Sequence, residues 1–187
     1  MEFTLVYRGS LRANGRPAEK QAIRRTFHGQ LKELWKQPPL TDFGPPHGHL
    51  LDDNPPQGDF SIIQRVGAFR LAPLVASKLH LIAELDITFL RPEAPGAVIT
   101  QGGDIDNRLK TLLDALRIPH NVGEIPGTPL ADEDPFFCLL EDDNLITKIG
   151  VSTDRLLDPT ARANDVQLFI HIRTKATRMI FGNMGLG

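Results

Sequence analysis

The clearest pattern along the chain runs from Leu79 to Phe89, where Leu79, Leu81, Ala83, Leu85, Ile87 and Phe89 alternate with His80, Glu84, Asp86 and Thr88. A period of two places one apolar row on one side of a β-strand. Asp165 to Arg173 repeats it, with Val166, Leu168, Ile170 and Ile172 inward. Met1 to Tyr7 and Phe60 to Phe69 read as further strands, and Leu145 to Val151 as a short one. Two segments change period. From Pro17 to about Lys36, the residues Ile23, Phe27, Leu31, Leu34 and Trp35 form one stripe at helical spacing, ended by Pro38-Pro39. From Asp104 to Arg117 the stripe is Ile105, Leu109, Leu112, Leu113 and Leu116, closed by Pro119. Thr41 to Asp59 and Pro119 to Pro135 are rich in Pro and Gly and read as connections. The order strand, helix, two strands, helix, two strands predicts an α+β fold, a small mixed sheet with helices packed on one face. The expected organisation is a single domain over residues 1–187, with long loops at about 37–59 and 117–141.

Composition removes several function classes. No run of 18 apolar residues exists, so no membrane span is expected, and the start of the chain has no basic segment followed by an apolar one. The expected location is cytoplasmic. The single cysteine, Cys138, excludes an intramolecular disulfide and a multi-cysteine zinc site, and between Phe137 and Leu139 it reads as a packing residue. No phosphate-binding G-x-x-x-x-G-K-[ST] loop is present, and no serine lies in a nucleophile elbow. His47 and His49, with Asp52 and Asp53, lie in a Pro/Gly loop and read as solvent-exposed rather than as a metal site.

The net charge of −2 argues against a nucleic-acid partner until its distribution is considered. Ile118 to Thr147 holds no Lys or Arg but seven acids: Glu124, Asp132, Glu133, Asp134, Glu141, Asp142 and Asp143. The rest of the chain therefore carries 21 basic against 16 acidic residues. Arg12, Arg16, Lys20, Arg24 and Arg25 are the candidates for contacts with a DNA backbone. A solvated basic helix and a solvated acidic loop would give the same counts. The acids from Asp132 to Asp134 have no cation near them in sequence and are expected to oppose phosphate approach.

The informative heptad is Asp104-Ile105-Asp106-Asn107-Arg108-Leu109-Lys110. Asp104 opens a helix after Gly102-Gly103, and Asp106 and Lys110 lie one turn apart on the face opposite the apolar stripe. Two carboxylates and an ammonium at one helix end suit Mg²⁺, which needs one or two carboxylates besides waters and phosphate oxygens. A helix N-cap and an ordinary surface ion pair would use the same residues. Glu141-Asp142-Asp143 forms a second acidic group before an apolar strand. If that strand lies beside the helix, three carboxylates converge on one cation.

Asp104-Ile105-Asp106-Asn107-x-x-Lys110, then Asp114-Ala115-Leu116, then Asp142-Asp143 before a short apolar strand, resembles the signature of the RusA-like Holliday-junction resolvases. The resemblance is sharp from about Asp104 to Leu116 and from Leu140 to Ile149. It implies a small α+β unit that forms a homodimer and cuts branched DNA with Mg²⁺, with Mn²⁺ as a substitute. Carried over, Asp104, Asp106 and Asp143 are the metal carboxylates, and Lys110 is the catalytic lysine. Asn107 is expected to steady the turn or a neighbouring ligand. The chain departs from the family in the 25 residues from Arg117 to Glu141, where the family's connection is brief. Two rivals remain: a non-catalytic DNA-binding protein on the same fold, and an interaction or regulatory module whose acidic loop is the working surface.

Overall fold

The computed structural model describes residues 1–41, 49–93 and 104–187, all with side chains except Asp104. His47 and the Gly102-Gly103 pair lie outside the described residues. The strands are β1 (Glu2–Ser10), β2 (Gln64–Val66), β3 (Phe69–Val75), β4 (Leu81–Arg91), β5 (Phe136–Leu140), β6 (Ile146–Arg155) and β7 (Asp165–Ala176). The helices are α1 (Pro17–Leu34) and α2 (Asp104–Leu116). The α+β class is as expected, but the strands form two sheets rather than one. Four strands run β1-β7-β4-β6, and three run β2-β3-β5.

The larger sheet follows the alternation read from the sequence. Leu81, Ala83, Leu85, Ile87 and Phe89 of β4 are all buried, as are Val166, Leu168, Ile170 and Ile172 of β7. These two strands pair antiparallel, and β1 adds antiparallel beyond β7. β6 pairs parallel with β4 on the other side, Ala83 opposite Ile146 and Arg91 opposite Arg155. A parallel pair needs a long crossover, and α2 lies within it. α1 closes the inner face with Ile23, Phe27 and Leu31, joined by Trp35 just past its end, each buried.

The second sheet contains the largest departure from expectation. Residues 117–141 are not only a loop: Phe136–Leu140 forms β5, parallel to β3, and all five residues are buried. Phe136 stacks on His28 of α1 at 4.4 Å and meets Phe69 edge-on at 5.8 Å. The backbone N–H of Phe137 donates to His28 Nδ1 at 2.9 Å. Burial lowers the His28 pKa, which keeps the ring neutral and able to accept that bond. Cys138 is buried as expected, with burial pushing its thiol up to about 12.

The acids of this segment do have cations beside them, contrary to the sequence expectation. Arg25 donates to Glu133 at 2.7 Å, Arg70 pairs with Asp134, and Lys32 donates to the Asp132 carbonyl at 2.7 Å. Chain folding brings α1 and β3 to charges that lie about 65 to 110 positions away in sequence. Glu133 itself is buried, whereas the side chains of Asp132 and Asp134 stay exposed.

Candidate functional site

α2 buries Arg108, Thr111, Leu112, Ala115 and Leu116, a stripe at i, i+3, i+4, i+7 and i+8. The expected stripe was turned by about one residue; Ile105, Leu109 and Leu113 are only partly covered. Polar contacts fix this rotation. Arg108 donates to the Leu11 carbonyl and, at 3.1 Å, to Asn164 Oδ1. The backbone N–H of Gly15 donates to Thr111 Oγ1 at 2.9 Å, and that hydroxyl donates to the Asn107 carbonyl at 3.1 Å.

Asp106 and Lys110 are exposed on the opposite side of the helix. Neither enters an ion pair among the described residues, so they are not an ordinary surface pair. Asn107 is half-buried between the two faces. The Asp104 backbone opens the helix, and its side chain lies outside the described residues.

The same contacts bring the turn between β1 and α1 against the middle of α2. Arg12 and Arg16, both exposed, are therefore carried beside the helix, with Arg12 paired to Glu19 at 3.2 Å. Three other candidate DNA contacts need correction. Arg24 is 1% exposed and donates to Gln21 Oε1 at 2.6 Å and to the Asp114 carbonyl at 2.8 Å. It serves as a buried cation at the C-terminal end of α2, where carbonyls lack helical partners. Lys20 donates to Asp114 at 2.6 Å, and Arg25 is held by Glu133. The sequence did hold a signal for Arg24, since 24, 27, 28 and 31 fall on one helical stripe.

Asp114, within the Asp-Ala-Leu stretch, is thus a structural anchor. Burial alone would raise its pKa, but hydrogen bonds and charge from Lys20 and Arg117 outweigh this and hold it below the ordinary carboxylate value. A depressed carboxyl contributes stability that is present above its unfolded value and is lost as pH falls through the folded one. Asp114→Asn should therefore cost about 1–3 kcal/mol at neutral pH. The variant should also lose less of its remaining stability below about pH 4. Urea denaturation at pH 7 and pH 3 measures both, and an unchanged acid limb would remove Asp114 from this role.

Asp143 begins a one-turn 3-10 helix, Asp143–Leu145, and is exposed. Asp142 caps that turn by accepting from the Asn144 N–H at 2.9 Å, and its other oxygen lies 3.1 Å from His120 Nε2. The Asn144 N–H and, after the opposing effect of burial, His120 lower the Asp142 pKa. The segment lies at the C-terminal end of α2: Arg117 bridges to Leu140, and the Ile118 N–H donates to the Leu140 carbonyl at 2.9 Å. Asp106 is eleven residues up that helix, about 16 Å along its axis. The contacts of Leu140 thus set the chain leading to Asp143 beside the C-terminal end of α2, while Asp106 stands in its first turn. No group of three or more His, Cys, Asp or Glu is placed to hold a metal among the described residues.

The remaining candidates lie elsewhere. His49 Nδ1 is 2.9 Å from Asp52, while Asp53 is held by Arg65 and Arg70. An open cavity of about 560 Å³ is lined by Asp53, Phe60, Ser61, Arg65 and Lys78, with no part of α2 in its wall. No helix among the described residues is long and apolar enough to cross a membrane. No family model matches the sequence, and neither a curated protein nor a solved structure matches it.

Proposed function

We propose that the protein is a metal-dependent endonuclease acting on branched or structured DNA, working at the N-terminal end of α2. The observation that carries this reading is the pair Asp106 and Lys110. An acid and a base stand one turn apart on a solvent face without an ion-pair partner among the described residues, inside the D-x-D-N-x-x-K spacing. Mg²⁺ at Asp104 and Asp106 would supply charge for a phosphate and an acidified water, and two carboxylates satisfy its need for protein ligands.

The chain's own residues divide the remaining work. Lys110 projects from the same face as Asp106 and neutralises negative charge gathering on a scissile phosphate. Arg16, and Arg12 where a phosphate replaces Glu19 as its partner, contact flanking phosphates from the turn beside α2. Arg24, Lys20 and Arg25 fix the scaffold instead. This narrows the basic surface and favours a site that acts locally over a broad non-catalytic DNA-binding face.

The test is cleavage of a synthetic four-way junction with Mg²⁺ or Mn²⁺, against a linear duplex and an EDTA control. Lys110→Ala should lower turnover tenfold or more, on the order of one positioned charge. Affinity measured at the same salt should change little, because one of several cations adds little to binding. An equal loss in both would make Lys110 a DNA contact only. No metal-dependent cleavage of any branched substrate would reject the reading.

A further inference from the structure

α1 closes one face of the four-stranded sheet, and on the opposite face no side chain among the described residues is buried. Strand register sets two rows across that open face. One row is Thr4, His171, Asp86 and Gly150, and the next is Val6, Phe169, Thr88 and Ser152, from β1, β7, β4 and β6 in turn. A solvated sheet face is ordinarily polar throughout. Here Phe169 and Val6 stand side by side in the second row, 36% and 39% exposed. α1 holds the border of this platform: the Val6 N–H donates to Gln30 Oε1 at 2.9 Å, and Gln30 Nε2 donates to the Val6 carbonyl at 2.7 Å.

A hollow of about 430 Å³ opens over the two rows, walled by Asp86, Thr88, Phe169 and His171 with Gly150 among its lining. The missing side chain makes the space, since a Cβ on Gly150 would collide with Asp86 Oδ1. The Asp86 carboxylate is half-exposed there, 3.3 Å from the Lys148 ammonium. His171 stands beside it, with Nδ1 3.3 Å from Thr4 Oγ1 and Nε2 3.5 Å from Glu2. In the preceding row Glu84 is taken by both Arg173 and Lys175, whereas Lys148 is the one ion-pair partner of Asp86 among the described residues. The hollow thus combines a ring for stacking, a carboxylate with room to accept two N–H bonds, and an ammonium next to it.

A guanine base matches this set. Its ring stacks on Phe169, as any base could. Its N1–H and N2–H lie side by side on one edge, which suits the two oxygens of a carboxylate. Both belong to the pairing edge, so the base must be unpaired to present them. These donors carry no net charge and share Asp86 with Lys148, whose ammonium also takes the phosphate attached to the base. A peptide arginine would fit the ring and the carboxylate too, but brings a second cation to a charge that Lys148 already neutralises. A free nucleotide calls for a pocket that buries most of its surface. This hollow lies open along the sheet, as suits a base whose neighbours continue in a strand. Phe169 is four residues, about 13 Å, along β7 from Asp165, and Asn164 beside it holds Arg108 of α2. We propose that the open sheet face binds an unpaired guanine of a DNA strand, stacked on Phe169 with its N–H edge on Asp86 and its phosphate on Lys148. That the strand is DNA rests on the nuclease reading, whereas the guanine site does not.

Fluorescence anisotropy of end-labelled thymidine pentamers, at low salt and in EDTA, tests the site apart from any metal. A pentamer with a central guanine should bind about tenfold tighter than the all-thymidine one, and hypoxanthine in its place, lacking the N2 donor, should lose most of that preference. Phe169→Ala should weaken guanine binding by about tenfold, on the scale of one stacked base. Asp86→Asn should bind both pentamers alike, because an amide presents one acceptor oxygen. Gly150→Val fills the hollow from the backbone and should match Phe169→Ala, so the test survives if either variant fails to fold. No preference for guanine in the wild type, or one that survives in the folded variants, overturns the proposal. So does equal competition by guanosine monophosphate, or stronger competition by an arginine peptide, which would give the hollow to free nucleotides or to a protein. Guanine binding by a protein that cuts no branched DNA keeps the base site and refutes the nuclease reading; cleavage without guanine preference does the opposite.

Discussion

Truncating Phe136 to alanine should destabilise the protein by about 3–5 kcal/mol, as expected for removal of a fully buried aromatic ring. Phe136 has no exposed surface and packs between His28 of α1 and Phe69 of β3. Its loss opens a cavity where the second sheet meets the helix, and the melting temperature should fall by on the order of 10 °C. The same physics revises the expected effect of shortening residues 122–136. Read from charge alone, the segment is a negative gate whose removal raises DNA affinity. In the fold, Glu133 is buried on Arg25, and the segment leads directly into β5. Shortening should therefore cost stability rather than improve binding. Thermal unfolding of Phe136→Ala decides the point: a loss below about 1 kcal/mol would mean that the insertion is not part of the core.

Asp106→Asn should abolish metal-dependent cleavage of a four-way junction, by about a hundredfold or more, on the scale of losing a positioned charged group at a reacting centre. Binding should be kept or improved, since removing a carboxylate also removes repulsion toward phosphate. Asp106 is exposed and in no ion pair among the described residues, so the melting temperature should stay within about a degree, as for a surface change. That separation makes the experiment decisive. Cleavage near the wild-type rate in a normally folded variant would remove Asp106 from the site, whereas a joint loss of folding and cleavage would give it a structural role instead.

Legibility from sequence followed the burial of each element. β4 and β7 bury one face, so their apolar residues keep a period of two, and both were placed within a few residues. β5 has all five residues buried, and Phe136–Leu140 shows no alternation to separate it from a packed loop. β3 carries Pro73 opposite Cys138 of β5, and a proline inside a run argues against a strand. The helix end with Asp106 and Lys110 was legible because its spacing is local. The position of Asp143 was not, because it depends on β6 running parallel to β4, which puts the start of one far from the end of the other. Arg24 shows the same limit: its charge suggested a surface, while its partners are the Asp114 carbonyl and Gln21.

The Gln30 contact on β1 has a consequence for how that edge meets other chains. A strand whose outer backbone groups are open is a template for another strand. Here the amide of one side chain answers both the donor and the acceptor of Val6, in the middle of β1. A strand arriving along β1 would have to displace Gln30 before it could make its central pair of bonds. One glutamine thus guards the middle of that edge against templated growth.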